Sequence, residues 1–241
     1  MIPKIIHYCW FGYGQMPKLA LKCIKSWKTY LPNYQLKLWD EGNFDLNINA
    51  YAKEAYLAGK FAFVTDFVRL KVLYNEGGIY MDTDVEVLKS LDGFLTLPAF
   101  SGFEDKGFVP TGIMASEKNG MWVKEQLDYY ENRHFILPDG KFDLTTNTQI
   151  ISGIMKSNGF DLRNGYQVYN NCMHIFPNDY FSPLHYGKLI LTENSHCIHH
   201  FAGSWNTETT KIRKFFYKKI LGGDVTYLLV KLKRKILNRQ F

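Results

Sequence analysis

The sequence predicts an α/β fold in which a central sheet, mixed but mostly parallel, is flanked by helices. The chain begins with a strand, a helix and a second strand, which is the ordinary opening of a nucleotide-binding α/β domain. Later, a long helix ends at two glycines and leads directly into a short apolar strand. With 241 residues, 46% of them hydrophobic, the chain is long enough to bury the core of one domain.

The first elements follow from hydrophobic patterning, glycine and proline. Residues 4–10 alternate into an apolar strand, and two glycines mark a loop after it. Pro17 then opens a helix that runs to about residue 30, because proline suits the first turn of a helix. A second strand at residues 34–39 and a short helix at residues 50–58 complete the opening unit.

The stretch that says most about function is the helix at residues 62–76 with the strand at residues 79–81. A glycine pair separates them, since a residue there must take a left-handed backbone conformation that side chains disfavour. Asp82 and Asp84 come just after the strand. Open α/β sheets bind ligands beyond the carboxyl ends of their strands, so we expect both carboxylates in a binding site.

Two aspartates one residue apart repel each other unless a cation joins them. Oxygen ligands of this kind suit Mn²⁺ or Mg²⁺, and either ion can hold the oxygens of a diphosphate. An isolated Asp-x-Asp is more often a solvated turn. The preceding apolar strand favours a metal site here, as do Asp66 and Arg69, which lie three residues apart on one face of the helix.

The rest of the chain continues to alternate between strands and helices. The predicted strands are residues 85–88, 99–103, 166–169, 174–176 and 188–191, and the predicted helices are residues 119–131, with Asn119 as a candidate cap, and 149–155. The polar residues 145–148 either cap the second of these helices or line an acceptor groove. Near the end come His199 and His200, of which only one can point at a metal, because a strand presents alternate residues to opposite faces.

The last 31 residues are strongly basic, with ten Lys or Arg and one Asp, whereas the rest of the chain is mildly acidic. We therefore predict a globular domain at residues 1–210 and an amphipathic helical tail at residues 211–241. Such helices bind the headgroups of anionic membranes. Packing on the domain is the second interpretation, and nucleic acid is a distant third because the acidic body would repel it.

The cysteines and the chain's amino terminus bear on localisation. The four cysteines form no CxxC pair, the start resembles no signal peptide, and no apolar run reaches the length of a membrane span. We therefore expect reduced thiols in a cytoplasmic protein that is peripheral on the inner face of the membrane.

Several segments together resemble the signature of glycosyltransferase family 32, the DXD-containing sugar-nucleotide transferases. The central part of the resemblance is residues 65–69, TDFVR, followed by residues 77–84, GGIYMDTD. The opening strand with Trp10 and Gly12, and the His-x-x-x-Ser-Trp segment at residues 200–205, also resemble this family. It includes yeast Golgi mannosyltransferases and many bacterial capsule and lipopolysaccharide enzymes, and clostridial glucosylating toxins share its motif.

The resemblance implies a GT-A fold and a retaining glycosyltransferase that requires Mn²⁺ or Mg²⁺. Asp84 would bind the ion directly, Asp82 directly or through water, and a histidine would face them. From its five-residue spacing to Trp205, we choose His200 as that ligand.

The resemblance also implies donor contacts. Asp66 and Arg69 would bind the donor sugar, with Arg69 near the diphosphate and Asp82 on the ribose. The catalytic set is then Asp66, Arg69, Asp82 and Asp84, and the other donor contacts are Trp10 and Tyr80 at the nucleoside and Ser204 and Trp205 at the diphosphate.

The predicted reaction moves a hexose from a nucleotide diphosphate sugar, with UDP favoured, to a hydroxyl of a glycan or lipid-linked oligosaccharide in surface polysaccharide biosynthesis. Two alternatives stay open. The first is a phosphatase similar to the haloacid dehalogenases, with Asp82 as nucleophile, although those enzymes carry their Asp-x-Asp on the first strand. The second is a sugar-nucleotide-binding module without activity, which would need no metal at a leaving group.

Overall fold

A computed structural model of the protein describes residues 1–104, 107–185 and 188–203. Its helices are α1 (Lys18–Tyr30), α2 (Ala50–Leu57), α3 (Phe61–Glu76), α4 (Met121–Asp128), α5 (Asn147–Ser157) and α6 (Asn178–Phe181). Its strands are β1 (Ile5–Cys9), β2 (Gln35–Trp39), β3 (Gly78–Met81), β4 (Val85–Val87), β5 (Ala99–Gly102), β6 (Ile113–Ser116), β7 (Gln167–Tyr169), β8 (Met173–Phe176), β9 (Leu184–His185), β10 (Lys188–Leu189) and β11 (Cys197–His199). Ser204, Trp205 and the basic tail lie outside the described residues.

The central sheet has the strand order β2-β1-β3-β6-β5-β8-β7. Strand β1 is parallel to both of its neighbours, and β5 is parallel to β8, while β6 and β7 run the other way. The predicted α/β fold with a mostly parallel sheet is therefore confirmed. Strand β4 lies outside this sheet and pairs with β11 in a two-stranded ladder.

The junction between α3 and β3 requires glycine. Gly77 and Gly78 have φ angles of +70° and +107°, in the region that side chains disfavour. A Cβ atom on Gly78 would also lie 2.8 Å from the carbonyl oxygen of Ile5, because β1 pairs closely with β3. The glycine pair thus lets the helix turn sharply into the middle of the sheet.

Strand β3 separates two apolar cores by the alternation of its side chains. Ile79 and Met81 pack into the core that contains Trp27 of α1, and Tyr80 packs into the core that contains α2 and α3. All three are buried. Because Asp82 follows directly, the aspartates leave the buried centre of the sheet at its carboxyl edge.

One predicted detail of the helices differs from the structure, and the structure decides a second that the sequence left open. Asn119 does not cap α4, since its φ is +60° and Gly120 precedes the helix. At α5, Thr146 and Gln149 form a reciprocal capping box, so part of the polar segment before that helix is explained by capping. None of the helices among residues 1–104, 107–185 and 188–203 is long and apolar enough to cross a bilayer.

His7 is buried between β2 and the glycine turn. The Trp39 indole N–H donates to His7 Nδ1 at 3.0 Å, so Nε2 carries the proton and donates to the Gly77 carbonyl at 2.8 Å. Both nitrogens are satisfied only when the ring is neutral. Burial lowers the pKa of His7 below 6.5, although the hydrogen bond to Gly77 partly opposes this.

We expect His7 to make stability depend on pH. Its pKa is lower in the folded state than in the unfolded state, so below about pH 6.5 the unfolded chain binds the extra proton and the folded state loses stability. The stability advantage of the native protein over His7→Gln should therefore shrink as the pH falls from 7 to 5. Urea denaturation of both proteins at several pH values measures this, and an advantage that stays constant would contradict it.

Candidate metal and donor site

The two aspartates lie on a tight turn at the carboxyl end of β3. The Asp82 N–H donates to the Gly112 carbonyl at 2.8 Å, and the Val85 N–H donates back to the Asp82 carbonyl at 2.9 Å. Both carboxylates are partly exposed on this turn. The backbone thus holds Asp82 and Asp84 at the edge of the sheet, as the sequence predicts.

His199 completes a cluster with the two aspartates. The ladder between β4 and β11 sets His199 opposite Val85, next to Asp84 in the chain. Its Nε2 lies 3.4 Å from Asp84 Oδ1, and one ligand atom from each of Asp82, Asp84 and His199 lies within 4.8 Å of the others. We call these three residues the metal trio.

The metal trio fits a divalent cation. His199 Nε2 faces Asp84 Oδ1 at 3.4 Å, and two carboxylates with one imidazole form a donor set that accepts Mn²⁺. Burial raises the pKa of Asp84, but its contacts with His199 and the Ala202 N–H outweigh that and lower it. Burial likewise lowers the pKa of His199, and the Asp84 hydrogen bond and charge outweigh that and raise it. A cation would therefore compete with a proton for His199.

His200 does not join the metal trio, which corrects the prediction. Its Nε2 lies 2.8 Å from Glu86 Oε2 instead. His199 is the last residue of β11 and His200 follows it directly, so their side chains leave on opposite faces. The spacing to Trp205 could not show which histidine faces Asp84, because the pairing of β11 with β4 decides this.

Arg69 is a buried cation at the centre of the site. Its guanidinium contacts Asp66 Oδ1 and Asp82 Oδ1, each at 3.2 Å, and donates to the Thr111 carbonyl at 2.7 Å. Its side chain is only 5% exposed. The helix α3 thus brings Asp66 and Arg69 beside the strand that carries Asp82, as their spacing predicts.

Asp66 is linked to a residue that the sequence prediction left unassigned. Burial raises the pKa of Asp66 to about 7, although Arg69 opposes this, and Asn147 donates hydrogen bonds to the carboxylate. The Asn147 side chain also contacts the Asp66 carbonyl at 3.4 Å. Asn147 is the first residue of α5, so the polar residues where that helix begins contact the site as well as capping the helix.

Tyr80 cannot stack on a nucleoside in this structure. Its side chain is 1% exposed, its ring lies under the Arg69 guanidinium at 4.5 Å, and its hydroxyl donates to Asp82 Oδ1 at 3.0 Å. Tyr80 therefore supports Arg69 and Asp82 from below, which corrects its predicted role. Trp10 follows β1 at the same edge of the sheet and is partly exposed, with its indole N–H donating to the Gly14 carbonyl.

Gly112 gives His199 the space that its ring occupies. A Cβ atom on Gly112 would lie 2.6 Å from His199 Nδ1 and Cε1. The substitution Gly112→Ala should push the imidazole away from Asp84 and weaken Mn²⁺ binding by about tenfold or more. Titration with Mn²⁺, followed by electron paramagnetic resonance of the free ion, measures the affinity.

The control for this prediction is Gly153→Ala, because a Cβ atom on Gly153 meets nothing within 4 Å. That variant should bind Mn²⁺ as the native protein does. Unchanged affinity in Gly112→Ala would show that His199 is not a ligand.

Comparison with known proteins gives matches to glycosyltransferases. Residues 17–101 match the family described as a glycosyltransferase sugar-binding region containing a DXD motif. Over 125 residues the chain is 33% identical to inositol phosphoceramide mannosyltransferase 3 of Schizosaccharomyces pombe. The aligned region covers 48% of this chain and 34% of that protein. Over 110 residues it is 32% identical to an uncharacterized glycosyltransferase of Acanthamoeba polyphaga mimivirus, covering 42% of each. The matched part is thus less than half of either relative.

The fold also has solved counterparts. A glycosyltransferase involved in the glycosylation of the major capsid of PBCV-1 superposes with a TM-score of 0.50, covering 88% of this chain and 98% of that one. The two are 10% identical, so the likeness concerns the fold alone. That fold is of the GT-A type, and its prediction is confirmed.

Proposed function

We propose that this chain, of which residues 17–101 match a glycosyltransferase sugar-binding region containing a DXD motif, is a metal-dependent glycosyltransferase. It transfers a hexose from a nucleotide diphosphate sugar to an acceptor hydroxyl, and a UDP-linked sugar is the favoured donor. The observation that carries this proposal is the metal trio, which places ligand atoms of Asp82, Asp84 and His199 within 4.8 Å of one another at the carboxyl end of β3. Retention of the anomeric configuration is part of the proposal and rests on the resemblance of the motifs alone.

The metal trio would hold Mn²⁺ or Mg²⁺, which neutralises the negative charge that gathers on the leaving diphosphate. Arg69 contributes a second, permanent positive charge that needs no reorganisation, because Asp66, Asp82 and the Thr111 carbonyl already orient its guanidinium.

The remaining site residues bind and orient the donor. We assign to Asp66 the role of accepting a hydrogen bond from a sugar hydroxyl, and its contacts with Arg69 and Asn147, which fix its orientation, support this role. Trp10 offers a partly exposed ring for the nucleoside at the same edge of the sheet. Ser204 and Trp205 stay predictions as diphosphate contacts, since they lie outside the described residues.

Two features of Asp82 support a transferase over a phosphatase. One of its carboxylate oxygens already accepts from Tyr80 and contacts Arg69, which suits a fixed ligand better than a nucleophile. Its Asp-x-Asp also follows the third strand of the chain, not the first. A sugar-nucleotide-binding module without activity would not need both the metal trio and a buried arginine beside the leaving diphosphate.

The acceptor that we propose is a hydroxyl of a glycan or lipid-linked oligosaccharide, as in surface polysaccharide biosynthesis. Its support is the name of one relative, an inositol phosphoceramide mannosyltransferase, and the basic tail at residues 211–241. The tail would hold the enzyme on the inner face of the cytoplasmic membrane. Deleting it should release the protein from the membrane fraction, and an unchanged fraction would refute this part.

The test of the proposed function is a panel of UDP- and GDP-linked sugars, each assayed with Mn²⁺ for thermal stabilisation and for slow hydrolysis. A donor at 100 times its dissociation constant stabilises a protein by about 2.7 kcal/mol. We expect one donor to stabilise the protein with Mn²⁺ and not with EDTA. Hydrolysis of p-nitrophenyl phosphate without any response to sugar nucleotides would favour the phosphatase, and metal-dependent binding without turnover would favour the binding module.

A further inference from the structure

The second histidine belongs to an ion-paired cluster on the face of the ladder opposite the metal trio. Glu86 Oε2 lies 2.8 Å from His200 Nε2 and 2.8 Å from Lys22 Nζ. The carboxylate therefore connects β4 with α1 and with the residue that follows β11. Glu86 and His200 are 17% and 26% exposed, whereas Lys22 is 61% exposed, so the Glu86–His200 bond is the better shielded of the two.

Strand β11 is held by its pairing with β4 and by the burial of Cys197, two residues before His199. It has three residues and pairs only with β4 in the described part of the chain. Beyond it, the His200 N–H donates to the Asp84 carbonyl at 3.0 Å and the Ala202 N–H to Asp84 Oδ2 at 2.8 Å. A two-stranded ladder is marginally stable alone, and its ends open most readily. His199 sits at such an end.

Strand β4, by contrast, is firmly attached to α1. The Trp27 indole N–H donates to the Val85 carbonyl at 2.7 Å, and the Val87 N–H donates to the Ser26 hydroxyl at 2.9 Å. These bonds lie on both sides of Glu86 along the strand. Glu86 therefore lies on a strand that α1 holds in place, and its carboxylate can hold the segment that contains His199 and His200.

The position of the His199 ring depends on how β11 is held. Gly112 lies against one part of the ring, and the Phe201 ring centroid is 4.0 Å from the imidazole centroid. Gly112 and Phe201 thus bound the His199 ring on two sides. A change at His200 would therefore move Nε2 of His199 relative to Asp84.

We propose that Glu86 and His200 are positioning residues that orient His199 and thereby set the cation affinity of the metal trio. Neither belongs to the metal trio, and both side chains lie on the other face of the ladder. This inference rests on the proposed function, since it assumes that the metal trio binds a divalent ion. It also explains why the chain carries two histidines, one as a ligand and one as the anchor of the ligand's strand.

The test is the Mn²⁺ affinity of the full chain, measured by electron paramagnetic resonance of the free ion. Glu86→Met, which cannot accept a hydrogen bond, and His200→Phe should each weaken binding about tenfold. Glu86→Gln keeps an oxygen acceptor for His200, so it should recover most of the affinity. The double variant Glu86→Met/His200→Phe should be no weaker than either single variant, because both remove the same bond.

The control is Glu54→Met, which removes a Glu–His pair of the same kind, with Glu54 Oε1 2.6 Å from His134 Nδ1, on a different part of the surface. It should leave Mn²⁺ affinity unchanged. The inference is overturned if Glu86→Met and His200→Phe bind Mn²⁺ within twofold of the native affinity, or if their effects add in the double variant. The proposed function stands in either case. If the native protein itself binds no Mn²⁺, both are refuted.

Discussion

Replacing Asp84 by asparagine is expected to lower kcat/KM by about a thousandfold with little change in stability. The asparagine side chain has the same shape, and its oxygen can still accept from the Ala202 N–H. It lacks the negative charge that a divalent cation requires, and it no longer offers an anionic partner to His199. Initial rates at saturating donor and increasing Mn²⁺ measure the loss, and thermal unfolding checks the fold.

The matched control for Asp84→Asn is Asp139→Asn, which changes an aspartate paired with Lys141 on the exposed surface. It should keep full activity. Asp84→Asn should also lose the donor-induced stabilisation that depends on Mn²⁺. Activity above a tenth of the native value, with Mn²⁺ dependence intact, would show that Asp84 is not a ligand.

Replacing Arg69 by methionine is expected to destabilise the protein by about 3–5 kcal/mol and to abolish activity. Methionine fills much of the same volume, but it leaves Asp66 and Asp82 without their shared cation and the Thr111 carbonyl without its donor. The stacking of the guanidinium on Tyr80 is lost as well. Urea denaturation of the variant, followed by circular dichroism, gives the change in the free energy of unfolding.

A second substitution separates charge from packing in this prediction. Asp66→Asn in the Arg69→Met background removes one of the two unpaired carboxylates, so it should restore part of the lost stability. Arg163→Met, which removes an exposed partner of Asp161, should change stability by less than about 0.5 kcal/mol. A loss below about 1 kcal/mol in Arg69→Met, or no recovery with Asp66→Asn, would mean that the arginine is not compensating these carboxylates.

The elements that the sequence predicts most closely are those governed by local chemistry. The helix expected at residues 62–76 is observed at Phe61–Glu76, and the glycine pair after it adopts the left-handed backbone for which glycine is needed. The helix opened by Pro17 and the short opening strands lie within a residue or two of their expected bounds. Hydrophobic period, helix ends and glycine conformation are properties of neighbouring residues, so they can be read without the fold.

The sequence by itself therefore determined the α/β class, the strand that presents Asp82 and Asp84, and the pairing of Asp66 with Arg69 on one helix face. Only the tertiary structure decided that His199 and not His200 faces Asp84, that Tyr80 lies buried beneath Arg69, and that Asn147 holds Asp66. The partners in these contacts are distant in the chain: Glu86 and His200 are 114 residues apart, and Asp66 and Asn147 are 81 apart. A shift of one residue in the pairing of β11 with β4 would exchange the faces of the two histidines, and that register joins two segments far apart in the chain, so no local pattern reveals it.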